Sequence, residues 1–131
     1  MVVIIAALAL VSCHKGNGYD KARLADGTVS LSVGGATAFV YNPLTCQMAW
    51  NGATRQFRAG TDNMSDYFVV KLSSVPSASG QTMTGDLTWT TSSSVSSLSA
   101  LPLEVMQVDG EGTVWLWSQK QKAAIVMKVL R

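Results

Sequence analysis

Thr82-Met83-Thr84-Gly85-Asp86-Leu87-Thr88-Trp89-Thr90 alternates without a break. Met83, Gly85, Leu87 and Trp89 fall on one side, and Thr82, Thr84, Asp86, Thr88 and Thr90 fall on the other. Successive side chains of a strand point to opposite faces, so this period of two describes a strand with one face in a core and the other in water. The threonines suit a pleated, half-buried surface better than a helix. The same period recurs on both sides of this stretch, and it decides the fold class.

Toward the C-terminus, residues 103–108, 113–118 and 123–130 read as three strands of a meander separated by Asp109-Gly110-Glu111-Gly112 and Gln119-Lys120-Gln121-Lys122. If both loops have four residues, the faces follow. Leu103, Val105, Val114, Leu116, Ile125 and Met127 make a wholly aliphatic face, which is core. Met106, Trp115, Trp117, Ala124 and Val126 lie opposite, with Glu104, Thr113 and Lys128. The serine-rich residues 91–99, whose apolar members are Val95 and Leu98, read as a surface connection or a ragged edge strand.

Toward the N-terminus, residues 67–72 are apolar on both faces until Lys71 and read as a central strand. Val29, Leu31 and Val33 alternate with Thr28, Ser30 and Ser32 in a half-buried strand that Gly34-Gly35 ends. Residues 37–41 form a short run that stops at Asn42-Pro43, because proline cannot donate to a ladder. Asn51-Gly52 supplies the positive φ angles of a two-residue type I′ turn, which predicts a hairpin of residues 45–50 with 53–58. In that register Trp50 faces Ala53, Met48 faces Arg55 and Cys46 faces Phe57. Cys46 then shares an apolar face with Met48, Trp50 and Phe57 as a buried, inert thiol, and Arg55 is the misfit. No segment sustains a helical period. Eight or nine short strands with frequent turns predict an all-β, antiparallel β-sandwich, with a closed barrel of the lipocalin kind as the alternative.

Chemistry is sparse. Among 131 residues, ten Lys and Arg against eight Asp and Glu give a formal charge of +2. The basic residues are scattered, which excludes a nucleic-acid partner. The one histidine, His14, falls in a polar, glycine-bearing stretch that reads as a flexible tether, and Cys46 has no histidine to act as its base. Two cysteines and one histidine have no zinc-ligand spacing. There is no phosphate-binding glycine loop and no Gly-x-Ser-x-Gly elbow. No catalytic residue, metal or cofactor is therefore assigned. Asp62, Asp66, Asp86, Glu104, Asp109 and Glu111 are the carboxylates from which a hydrolase pair would be drawn, but a solvated loop or strand face accounts for each. Asp62, Asn63 and Asp66 fit turn chemistry better than a calcium loop. Trp115 and Trp117, two residues apart on one strand face with Glu104 and Lys128 at its margin, are the candidate binding residues for a glycan or small apolar ligand. The competing reading is a central strand covered on both faces.

Residues 1–11 form an unbroken apolar run ending in Leu10-Val11-Ser12-Cys13. The run has the length of a signal h-region and falls short of the roughly 20 apolar residues that span a bilayer. Ser12 supplies a small residue at a cut, and Leu10 is apolar three places before the cysteine. In one respect the run departs from an ordinary signal peptide: no Lys or Arg precedes Lys15. These four residues resemble a bacterial lipobox. The resemblance implies cleavage between Ser12 and Cys13, a diacylglyceryl chain on the Cys13 thiol, and a mature protein held on a membrane by lipid. The chain then divides into a signal peptide over 1–12, a lipidated cysteine and flexible tether over 13–26, and a single all-β domain over 27–131. Without lipidation, a Cys13–Cys46 disulfide is the other use of the two cysteines.

Lipobox, short tether and one all-β domain together resemble the small lipoproteins of unassigned function of Gram-negative bacteria. His14, where an aspartate would signal inner-membrane retention, implies the outer membrane. The expected function is a non-enzymatic structural or interaction module of the cell envelope, presenting a sheet edge or face to an envelope protein. One alternative is a lipoprotein that binds a glycan or small apolar ligand; the other is a carboxylate-dependent envelope hydrolase.

Overall fold

The computed structural model of the chain describes residues 27–34 and 36–129. The lipobox and the tether lie outside the described residues. Within them are nine strands and no helix: β1 (Val29–Val33), β2 (Ala36–Tyr41), β3 (Gln47–Asn51), β4 (Gln56–Gly60), β5 (Tyr67–Leu72), β6 (Thr82–Thr91), β7 (Ser94–Val108), β8 (Thr113–Ser118) and β9 (Ala123–Lys128). All pairings are antiparallel, in one sheet of order β2-β1-β9-β8-β7-β6-β5-β4-β3. Strands β3 to β9 are a simple meander, and β1 closes back on β9.

The sheet curls into a half-barrel whose two ends approach one another across a common core, as the layers of a sandwich do. Aromatic rings hold this closure. Phe68 on β5 meets Phe39 at 6.2 Å and Tyr41 at 6.3 Å between ring centroids, both from β2, and Phe57 on β4 at 6.0 Å. The Tyr41 hydroxyl donates to the Asp66 carbonyl at 3.1 Å. Burial pushes the Tyr41 phenol up to about 12, with the charges of Asp66 and Cys46 adding to it. Around these rings the core gathers Val29, Leu31, Val70, Leu87, Val105, Leu116, Ile125 and Met127, all fully buried. The all-β antiparallel architecture read from the alternation is the observed one.

The C-terminal meander has the two four-residue loops that its sequence suggests. All six aliphatic residues assigned to the core face are buried in the core cluster, and Met106, Trp115, Trp117, Ala124 and Val126 form a second cluster on the opposite face. Two bulges keep the long strand β7 facing the core. The first sets Ser99 and Ala100 against the single residue Asp86, because Gly85 pairs with Leu101 and Leu87 with Leu98. Ala100 takes a positive φ of 52°, and its N–H donates to Asp86 Oδ1 at 2.9 Å. The extra residue inverts the parity, so Leu98 and Leu101 both point inward. The serine-rich segment thus belongs to a strand. It pairs with β6, while β8 takes up β7 only from Glu104 onward.

Two readings need correction. The hairpin at Asn51-Gly52 has a four-residue turn over 52–55, and Trp50 pairs with Phe57 and Met48 with Ala59. Asn51 acts through its side chain, whose Oδ1 accepts from the N–H groups of Ala53 at 2.9 Å and Thr54 at 3.2 Å. That local capping replaces the left-handed backbone of a type I′ turn, and the positive φ falls on Arg55 instead, at 57°. The shift is even, so Met48, Trp50 and Phe57 still share the inner face. Arg55 leaves the ladder, and its Nε donates to the Leu72 carbonyl at 2.9 Å. The second correction concerns β1. Ser30 and Ser32 do not face water; they are 0% and 2% exposed.

Candidate functional site

The outer face of β7, β8 and β9 carries the four candidate residues. Trp117 pairs with Glu104 on β7 and with Ala124 on β9, so the structure sets Glu104 directly beside an indole. Trp115 pairs with Gln107 and Val126, and Lys128 pairs with Thr113. Lys128 therefore sits about four residues along the strands and two strands across from Glu104, roughly 16 Å away. The two charges mark opposite ends of a tryptophan strip and do not share one pocket.

That strip is dry. Trp115 is 5% exposed and Trp117 2%, and Ala124 and Val126 beside them are buried as well. The Trp115 Nε1 donor finds no hydrogen-bond partner among the described residues. Neither indole offers an open face to a ring. Trp117 does border a shallow depression of about 230 Å³ that Met83, Pro102, Glu104 and Lys120 also line. A wider depression of about 490 Å³ lies beside Trp50, Gln56 and Arg58 at the β3–β4 turn.

Three of the candidate carboxylates serve the backbone. Asp66 Oδ1 accepts from Ser92 N–H at 3.1 Å, tying two loops together, and Asp86 caps the bulge already described. Asp109 Oδ1 accepts from the N–H groups of Thr113 and Glu111, each at 2.9 Å. The hydrogen bond from Thr113 does most to hold the Asp109 carboxyl below the usual carboxylate range, with Glu111 N–H and the charge of Lys128 helping. In the 61–66 loop, Asn63 Oδ1 accepts from Ser65 N–H at 3.0 Å and Thr61 Oγ1 at 3.1 Å, the turn chemistry its sequence suggests. Among the described residues no group of three His, Cys, Asp or Glu could hold a metal ion.

Cys46 is a free thiol, and it lies outside the hairpin ladder, one residue before β3, where it is half-buried. Its expected place opposite Phe57 is taken by Trp50. Burial pushes the Cys46 thiol up, and Asp62 adds to the effect. The thiolate is the reactive form, so alkylation of the native protein by iodoacetamide at neutral pH should run slower than that of a free thiol and accelerate at a higher pH. A rate equal to that of free cysteine at neutral pH would contradict this placement.

Sequence reasoning did not find the seam between β2 and β3. These strands are consecutive in the chain, yet among the described residues each pairs on one side only and they end the sheet at opposite ends of its order. Their connection is a tight turn in which Asn42 O accepts from Thr45 and Cys46 N–H, and it projects Leu44, 90% exposed. Asn42-Pro43 marks the turn in the sequence, but which strands lack a second partner is a property of the whole topology. Neither edge carries a charged residue: β2 reads ATAFVY and β3 reads QMAWN.

The chain matches no protein-family model, no curated protein and no solved structure.

Proposed function

We propose that this chain is a lipid-anchored protein of the bacterial cell envelope, held at the outer membrane through Cys13, and that it acts without catalysis by docking a partner protein along a sheet edge. The lipid anchor rests on Leu10-Val11-Ser12-Cys13. The docking role rests on the uncharged edges β2 and β3. An edge strand exposes N–H and C=O groups that can pair with a strand from another chain, and proteins usually block such pairing with lysine, proline or an inward charge. Here the outward row of β3 is Gln47, Ala49 and Asn51, all exposed and all compatible with an added strand. The exposed Leu44 in the adjoining turn adds apolar surface that a docked partner would bury.

A photoreactive residue placed at Ala49 in the full chain, in cells, should give one discrete adduct. The same residue at Val95, also exposed but on β7, should not give it. Lysine at Gln47, Ala49 and Asn51 together should abolish the adduct by charging the edge. Identical adducts at both positions, or an adduct that survives the three lysines, would contradict edge docking. The alternative of glycan or apolar-ligand binding draws on Trp115, Trp117, Glu104 and Lys128, and it needs the dry outer face to open.

A further inference from the structure

We propose that Asn51 is a site of self-modification, at which the folded protein converts the asparagine to aspartate and isoaspartate, and that the conversion closes the β3 edge. In an Asn-Gly pair the glycine nitrogen can attack the asparagine side chain. The bond from Gly52 N to Asn51 Cγ forms, the bond from Cγ to Nδ2 breaks, and Nδ2 leaves as ammonia with the proton that Gly52 N gives up. Water then opens the cyclic imide. Attack of water at Cγ leaves aspartate, and attack at the main-chain carbonyl leaves isoaspartate. Water is the one co-reactant, and nothing is oxidised or reduced.

The turn between β3 and β4 holds these atoms ready. Asn51 Oδ1 accepts from Ala53 N–H at 2.9 Å and Thr54 N–H at 3.2 Å, which lays the side chain alongside the Gly52 peptide. The same two donors face the oxygen that gains negative charge when Cγ is attacked, as the donors of an oxyanion hole do. Asn51 and Gly52 are both exposed, and both line the depression of about 490 Å³ beside Trp50 and Arg58, so water reaches the imide. The Arg58 guanidinium in that depression favours the deprotonated Gly52 nitrogen that attacks. The other described asparagines lack such a nucleophile. Asn42 precedes Pro43, which has no N–H, and Asn63, although its Oδ1 is also capped, precedes Met64, whose side chain restricts the approach.

The chemistry stands by itself, and its consequence rests on edge docking. Asn51 ends the outward row Gln47, Ala49 and Asn51 of β3, an edge without charge. Either product puts a carboxylate there, and a charge on an edge opposes the addition of a strand. Isoaspartate also inserts a methylene into the main chain, which breaks the two-residue repeat that an added strand must follow. The edge is therefore open in a newly made chain and closed in an aged one, without an enzyme to switch it.

Incubation of the native full chain at mildly alkaline pH, followed by peptide mapping, tests the chemistry. Asn51 should be replaced by aspartate and isoaspartate with release of ammonia, while Asn42 and Asn63 keep their amides. Asn17-Gly18 repeats the dipeptide, so fragment-ion sequencing assigns each conversion to its residue. Gly52→Ala should slow conversion at Asn51 several-fold and still fold, because Gly52 lies outside the left-handed region and a Cβ there would meet Trp50 Nε1 at 3.6 Å, an ordinary contact. A native chain that keeps the Asn51 amide while the chain unfolded in guanidinium chloride loses it would overturn the proposal, since the bonds to Oδ1 would then lock the side chain instead of activating it. Conversion indifferent to Gly52→Ala would overturn it too. The consequence is read from the adduct formed by the photoreactive residue at Ala49, which should fall several-fold in Asn51→Asp and persist in Asn51→Ser, an uncharged cap. An adduct equally strong in Asn51→Asp would overturn the closing of the edge. No adduct in the parent would instead remove edge docking and this consequence with it, and leave the conversion standing on its own measurement.

Discussion

Replacing Trp115 and Trp117 together by alanine should unfold the domain at room temperature rather than leave a folded protein that has lost a ligand. Both indoles are buried on a strand whose other face, Val114 and Leu116, is buried in the core. Strand β8 is therefore covered on both sides and paired along both edges. Truncating a buried tryptophan costs about 3–5 kcal/mol, and two such losses approach or exceed a domain stability of about 5–15 kcal/mol. Thermal or urea denaturation measures it. A cooperative transition with an unchanged midpoint would show that these side chains carry no structural load, and would move ligand binding ahead of edge docking.

Phe68→Ala should cost about 3–5 kcal/mol as well, because Phe68 is fully buried and joins β5 to rings from β2 and β4. The effect should be specific to the closure of the curl. Tyr41 stacks on Phe68 with 11° between the rings, so removing that cover lets water reach the phenol. Its ionisation, pushed up to about 12 by burial, should fall back toward 10.0. In the parent protein the same shift makes stability fall as pH rises from about 10 to 12, since the unfolded chain releases the phenol proton first and binds fewer protons across that window. Urea denaturation at neutral pH gives the first quantity and spectrophotometric titration the second. An unchanged titration in a destabilised variant would contradict this closure of β2 on β5.

Local pattern carried the C-terminal half of the fold. Two four-residue loops fix the register of residues 103–128, and each one-residue step in register would send Leu116 or Ile125 outward, so the alternation has one acceptable solution. Around residues 51–55 two local solutions compete. Asn-Gly favours a left-handed turn, Asn51 Oδ1 offers the backbone a cap instead, and sequence alone does not rank them. The placement of β2 outside β1, and so beside β5 across the core, depends on pairings more than 80 residues apart in the chain, such as Leu31 with Ile125.

The candidate site was legible only in part. That Trp115, Trp117, Glu104 and Lys128 share a face follows from parity. Whether that face is wet does not, because the cover over a strand is not written in the strand's own alternation. Ser30 and Ser32 show the same thing: polar residues on a period of two read as solvated, and they are buried. Cys46 was misplaced for a local reason, since moving the turn by its two extra residues carried the ladder past it.

Mass spectrometry of the protein extracted from membranes of its native host tests the lipid-anchored reading most directly. The N-terminal peptide should begin at Cys13 and carry a diacylglyceryl group, and labelled palmitate should enter the parent chain and not Cys13→Ala. A native protein that retains residues 1–12, or palmitate that persists in Cys13→Ala, would contradict it.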